Sequence, residues 1–125
     1  MMFRQTRFSF SVAITVAVIC VGVLPPALAA DPPPEDAAAV ERGAQLFQQY
    51  CTECHGRDGR AQLDVIADAT DLTQPDYYYN GSTNQDVFNS IANGAGVAMP
   101  AWRPVLGGDE AIWDLVYFTR SLWAE

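Results

Sequence analysis

Three stretches of the chain repeat apolar residues at helical spacing. From Glu35 or Asp36 to Cys51, the residues Val40, Gly43/Ala44, Phe47 and Tyr50/Cys51 fall on one face of a helix, with acids at its start where the helix dipole favours them. In the last stretch, "GGDEAIWDLVYFTRSLWAE", Gly108-Asp109 is a cap candidate and Ile112, Leu115/Val116, Phe118/Thr119 and Leu122 form a second stripe. Between them, "GSTNQDVFNSIANGAG" sets Thr83 three residues before Asp86, a capping-box spacing. Val87, Phe88 and Ile91 follow, and Gly94 is a natural stop. No run alternates as a strand would. The pattern predicts an all-α domain of three main helices joined by loops.

The apolar run from Phe8 to Leu24 is of a different kind. Arg4 and Arg7 precede it without any acid, and Pro25-Pro26 and Ala27-Leu28-Ala29 follow. A positive end, an apolar centre and a small-x-small site are the order of a secretory signal, with cleavage expected after Ala29. The alternative is an uncleaved anchor, since the run approaches the ~17–25 residues that span a bilayer. Cys20 follows bulky Ile19, where a lipid-processing site needs a small residue, so it reads as part of the signal. The expected division is a signal peptide over 1–29, an extended and mobile proline-rich lead-in over 30–36, and one domain over 37–125.

Export changes the charge balance. Of seven basic residues, Arg4 and Arg7 leave with the signal, while all fifteen acids lie beyond residue 30; five arginines then face fifteen acids, a formal charge of −10, with no lysine anywhere. Such a surface repels nucleic acid and anionic lipid. It serves either solubility or docking to a basic partner.

The chemistry concentrates in "QQYCTECHGRDG", where Cys51, Cys54 and His55 lie within five positions. A closed zinc site needs four ligands, and the mature chain has no further Cys or His. A thioredoxin-like dithiol expects a βαβ setting, which is absent from the pattern. A Cys51–Cys54 disulfide suits an exported protein but leaves His55 unexplained and closes too small a loop to remove much chain entropy. Covalent haem accounts for all three residues: two thiols add across the vinyl groups, and the next imidazole coordinates iron from one face.

The second axial position is restricted by composition. His55 is the sole histidine, lysine is absent, and Met99 is the only methionine once Met1 and Met2 are removed. Met99 stands in the glycine-rich "GVAMPAW" loop, and the expected ligand pair is His55 and Met99. The alternative is a five-coordinate iron open to small molecules.

With these residues the chain resembles a class I c-type cytochrome over residues 37–125, through "GAQLFQQYCTECHG", "ATDLT", "DVFNSIANGAGVAMPAW" and "IWDLVYFTRSL". The resemblance implies a cytochrome c fold whose first and last helices cross. It places Gly43 and Phe47 of the first against Phe118 of the last. It also exposes a departure: many members carry a Gly-Pro after the haem histidine, whose carbonyl orients that ring, and "GRDGRAQLDVIADATDL" has no proline. The acceptor for His55 is therefore unassigned. Trp102 resembles a position that packs on haem or bonds a propionate, and ordinary core packing suits it equally well. Arg103 is expected on the solvated surface, and Tyr77, Tyr78 and Tyr79 partly in the core and partly in a loop.

The implied function is electron transfer by one haem c, its iron held by His55 and Met99 and its porphyrin attached through Cys51 and Cys54. The expected protein is periplasmic or otherwise exported, a monomer unless it is a subunit of a complex, and not itself an enzyme; it exchanges electrons with redox-protein partners and takes neither nucleic acid nor a small-molecule substrate. A dehydrogenase is the expected donor and a terminal oxidase or reductase the acceptor. "MPAW" and "YYYNGST" resemble cytochromes that serve quinoprotein alcohol dehydrogenases. The competing readings are a fixed haem subunit of a larger redox enzyme, or an open-iron peroxidase or sensor.

Overall fold

The structure, a computed structural model, describes residues 32–61 and 69–123. The proposed signal peptide lies outside the described residues. Helix α1 spans Ala37–Tyr50, α2 is the single turn Thr52–His55, α3 is Asn84–Asn93, α4 is the short Arg103–Leu106, and α5 is Asp109–Ser121; a 3₁₀ turn occupies Pro75–Tyr77. The three long helices are those the apolar spacing predicts. Among the described residues no strand forms, and no helix is long and apolar enough to cross a membrane.

Each helix starts for a local reason. The Asp36 carboxylate accepts from Ala39 N at 2.7 Å and caps α1. Thr83 and Asp86 form the expected capping box: Asp86 N donates to Thr83 Oγ1 at 3.2 Å and Thr83 N to Asp86 Oδ2 at 3.1 Å. Such a cap contributes about 1 kcal/mol. Gly108 precedes α5 without a side-chain cap, and Asp109 and Glu110 in the first turn and Arg120 in the last suit its dipole instead.

The core forms where α5 meets α1 on one side and α3 and α4 on another. Phe47, Ile112 and Val116 are fully buried. Burying each such side chain contributes roughly 1.5–3 kcal/mol. Phe47 of α1 meets Phe118 of α5 with ring centroids 5.0 Å apart, so the helix-pair residues implied by the family resemblance do come together. Close approach is possible because position 43 is glycine: a Cβ there would fall 2.0 Å from the Asp114 carbonyl oxygen and 2.8 Å from Phe118 Cβ.

The stripe read for α5 is too narrow. Trp113, Asp114 and Tyr117 are also buried, because neighbours cover that helix on several sides. Trp113 packs between Phe88 of α3 and Tyr117, at centroid distances of 4.7 and 6.0 Å. Asp114 is tolerated in the core because Arg42 of α1 clasps it with two hydrogen bonds, Nε to Oδ2 and Nη2 to Oδ1, both 2.7 Å. Tyr117 donates its hydroxyl hydrogen to the Pro33 carbonyl. Within the lead-in, expected to be mobile, Pro33 is thus fastened to α5.

Candidate haem site

The cysteine pair and the histidine share one helical turn. Cys51 ends α1, its N–H bonded to Phe47 O at 2.9 Å, and at once begins α2, its carbonyl accepting from His55 N at 2.9 Å. Residues three and four apart lie on one side of such a turn, so Cys51, Cys54 and His55 all border the same space. Gly56, at φ +73°, ends the turn in a conformation that favours glycine.

The His55 ring is oriented by a main-chain group. Its Nδ1 lies 3.0 Å from the carbonyl oxygen of Thr70. A carbonyl can only accept, so Nδ1 carries the hydrogen and Nε2 keeps its lone pair. This contact supplies the acceptor that the sequence left unassigned. Burial lowers the His55 pKa, opposed by the Thr70 hydrogen bond, and keeps the ring in the neutral form that binds metals. Burial, with the neighbouring Cys54 thiol, pushes the Cys51 thiol up to about 12, and both cysteines are free.

Met99 comes from the far side of the chain on a tight hairpin. Ala95 N donates to Met99 O at 3.1 Å and Met99 N returns a bond to Ala95 O at 3.3 Å, closing a turn over Gly96, Val97 and Ala98. At Gly94, φ +89°, a Cβ would fall 2.7 Å from Met99 O. Trp102 N then bonds Ile91 O at 3.0 Å and ties the loop to α3. These bonds hold the half-buried Met99 side chain in place.

A cavity of about 360 Å³ joins these parts, bordered by Cys51, Cys54, His55 and Thr70 and by Tyr79, Met99, Pro100 and Trp102. A hollow of about 70 Å³ shares Cys51, His55, Thr70, Met99 and Trp102 and reaches Phe47, Ile91 and Leu115 of the core. The donor set fits haem c: two free thiols, a neutral imidazole with one nitrogen committed to a carbonyl, and a thioether, all on one largely apolar cavity. All four site residues named from sequence border it. Trp102 does so too, packed on Tyr50 at 5.9 Å. Arg103 instead pairs with Asp109 at the surface and lies over Phe88. Tyr78 is half-buried against the core, while Tyr77 and Tyr79 are exposed. Tyr50, Thr70 and Tyr79 were not foreseen as site residues. Thr70 acts through its main chain, which carries no side-chain signature, whereas an aromatic beside Cys51 was a usable signal for Tyr50.

Residues 38–118 match the family model of cytochrome C oxidase, cbb3-type, subunit III. The chain belongs to this family of c-type cytochromes. Its cofactor is haem c, and Cys51, Cys54 and His55 form its C-x-x-C-H attachment motif. Cytochrome c55X of Paracoccus denitrificans (strain Pd 1222) is 33% identical over 70% of this chain and 80% of its own length. The cbb3-type cytochrome c oxidase subunit FixP of Azorhizobium caulinodans is 34% identical over 58% of this chain, but the match spans only 24% of that subunit. Among solved structures, cytochrome cL of the marine methylotroph Methylophaga aminisulfidivorans MPT superposes with a TM-score of 0.60 at 26% identity, covering 70% of this chain and 55% of that one. The fold of the c-type cytochromes expected from the sequence is the one observed.

Proposed function

We propose that this cytochrome is an exported single-haem shuttle whose iron is held by His55 and Met99. It carries one electron from a dehydrogenase to a terminal oxidase or reductase. When bound, haem c supplies a one-electron ferric/ferrous couple. The observation that carries the reading is that one apolar cavity gathers both thiols, the only histidine and the only methionine of the proposed mature domain. The Thr70 carbonyl fixes the His55 ring, and the Ala95–Met99 hairpin holds the segment that carries the thioether. Tyr50 and Trp102 add aromatic wall to the same cavity. With His55 and Met99 both holding the iron, no place on it would be left for a substrate, and the haem would exchange electrons without binding one. The stretches "MPAW" and "YYYNGST" favour a quinoprotein alcohol dehydrogenase as donor. Residues 1–29 carry the signal pattern that supports a periplasmic address.

The ferrous protein tests the ligand pair. Wild type should exclude carbon monoxide and, when oxidised, show the weak near-infrared sulfur-to-iron absorption. Met99→Ala should lose that absorption and bind carbon monoxide. Rapid, complete carbon monoxide binding by wild type would favour an open iron.

The family match favours one other reading, a fixed haem subunit of an oxidase. Stable co-purification with membrane oxidase subunits at high salt would support it over the shuttle.

A further inference from the structure

The Thr70 carbonyl sits in a segment with no proline to stiffen it, yet its bond to His55 depends on its position. Four hydrogen bonds hold that segment. Two residues on, Leu72 N donates to Gly59 O at 2.7 Å, and Leu72 O accepts from the Tyr78 hydroxyl at 2.7 Å. The Asp71 carboxylate between them accepts from Thr73 N at 2.9 Å and Thr73 Oγ1 at 2.7 Å. The Leu72 N–H belongs to the peptide unit next to that of the Thr70 carbonyl and the Leu72 carbonyl to the unit after it, so the two units that follow Thr70 are both anchored.

The Tyr78 hydroxyl is in turn held from the end of the last helix. Trp123 Nε1 donates to it at 3.0 Å, and the two rings meet edge to face at 5.9 Å. Arg120 lies over the Trp123 ring at 4.7 Å and bonds Asn84 at the start of α3. Leu122 closes the same corner: a Cβ at Gly59, φ +75°, would fall 2.7 Å from Leu122 Cδ1 and 3.6 Å from Leu72 Cβ. A donor–acceptor chain therefore runs from Trp123 through Tyr78 to Leu72, and Thr70 bonds His55 from the same segment.

We infer that Trp123 and Tyr78 are positioning residues for the haem histidine: their hydrogen-bond chain fixes the Leu72 peptide and thereby keeps the Thr70 carbonyl on His55 Nδ1. This rests on His55 being an iron ligand. A carbonyl on Nδ1 makes the ring a stronger donor to a metal. A stronger donor favours the ferric state, so loosening the chain raises the reduction potential. The linkage makes the end of α5 a determinant of potential, although Trp123 borders neither hollow and Tyr78 only the smaller one.

The test uses the holoprotein with Tyr78→Phe, which removes both hydrogen bonds of the chain, and Trp123→Phe, which removes only the one to Tyr78; each keeps an aromatic ring. In the ferrous state, solvent exchange of the His55 Nδ1 hydrogen, read by ¹⁵N NMR, should quicken at least tenfold in both variants. The midpoint potential should rise by a threefold or larger shift in the ferric/ferrous ratio, about 28 mV at 59 mV per tenfold. Asp36→Ala, which removes the cap at the start of α1 and touches none of these residues, should lower Tm and move neither readout. If Tyr78→Phe does not fold, Trp123→Phe carries the test. Exchange and potential unchanged in a folded variant would overturn the inference and leave the ligand reading standing. Wild-type His55 ring protons without the upfield shifts of a haem ligand would overturn both.

Discussion

Gly43 and Asp114 bring α1 and α5 into main-chain contact, with space at residue 43 for a hydrogen but not for a methyl. A Cβ at residue 43 would overlap the Asp114 carbonyl at 2.0 Å, and its other neighbours, Asp114 C and Phe118 Cβ, belong to the same helix. No flexible side chain can move aside, so the helices must separate. Gly43→Ala should cost about 3 kcal/mol or more, the upper range for overpacking, despite the better helix propensity of alanine. Urea unfolding of the holoprotein measures it, and a loss below about 1 kcal/mol would show that the crossing adjusts freely.

The same crossing holds the Arg42–Asp114 pair. Asp114 is almost fully buried, while about half of the Arg42 side chain is exposed. Removing the guanidinium leaves a buried carboxylate unpaired, whereas removing both partners leaves none. Arg42→Met should therefore destabilise more than Arg42→Met combined with Asp114→Leu. Unfolding curves of the two variants decide it: if the double variant is the weaker, the pair contributes net attraction beyond relieving a buried charge.

What the sequence disclosed and what it hid divide along physical lines. The attachment motif, the Met99 loop and the three long helices were legible because each is written in side-chain identity or spacing. Thr83 with Asp86 and Gly94 even marked both ends of α3. The burial of Asp114 was hidden because its partner Arg42 lies 72 residues away. Thr70 was hidden because its acceptor is main chain. The hold on the lead-in was hidden because it depends on Tyr117 reaching back 84 residues to Pro33.

Tyr78 gives the protein an alkaline limit. Burial, reinforced by the Asp71 charge and opposed by the Trp123 hydrogen bond, raises its phenol from the ordinary 10.0 to about 12. The unfolded chain therefore releases this proton at lower pH than the folded one. The stabilisation is fully present below pH 10 and is lost as pH rises from 10 toward 12. Tyr78→Phe should remove this part of the pH dependence of Tm in that window, while lowering Tm at neutral pH through the lost hydrogen bonds. An identical alkaline slope in both proteins would show that other groups set the limit.

Covalent attachment sets a separate prediction. Thioether bonds through Cys51 and Cys54 should keep the haem with the polypeptide through acid-acetone extraction. Cys51→Ala with Cys54→Ala should release it to the solvent phase. Colourless protein after extraction of wild type would exclude the covalent reading.

Docking should respond to salt in two parts. The proposed mature chain carries a formal charge of −10 and no lysine, so long-range steering favours a partner with a basic face. Close contact is a different matter, because Val97, 98% exposed, and Tyr79, 77% exposed, stand at the cavity mouth and offer apolar surface. Steering between exposed charges is screened over about 8–10 Å at physiological salt, whereas apolar contact weakens little. Stopped-flow reduction by the physiological donor should slow on the order of tenfold between low salt and about 0.5 M, then level off at a rate set by the apolar contact. Val97→Asp should lower that plateau and leave the salt-dependent part nearly unchanged. A rate that is flat or rises with salt would mean that the acidic surface serves solubility and that the partner is found through the apolar rim alone.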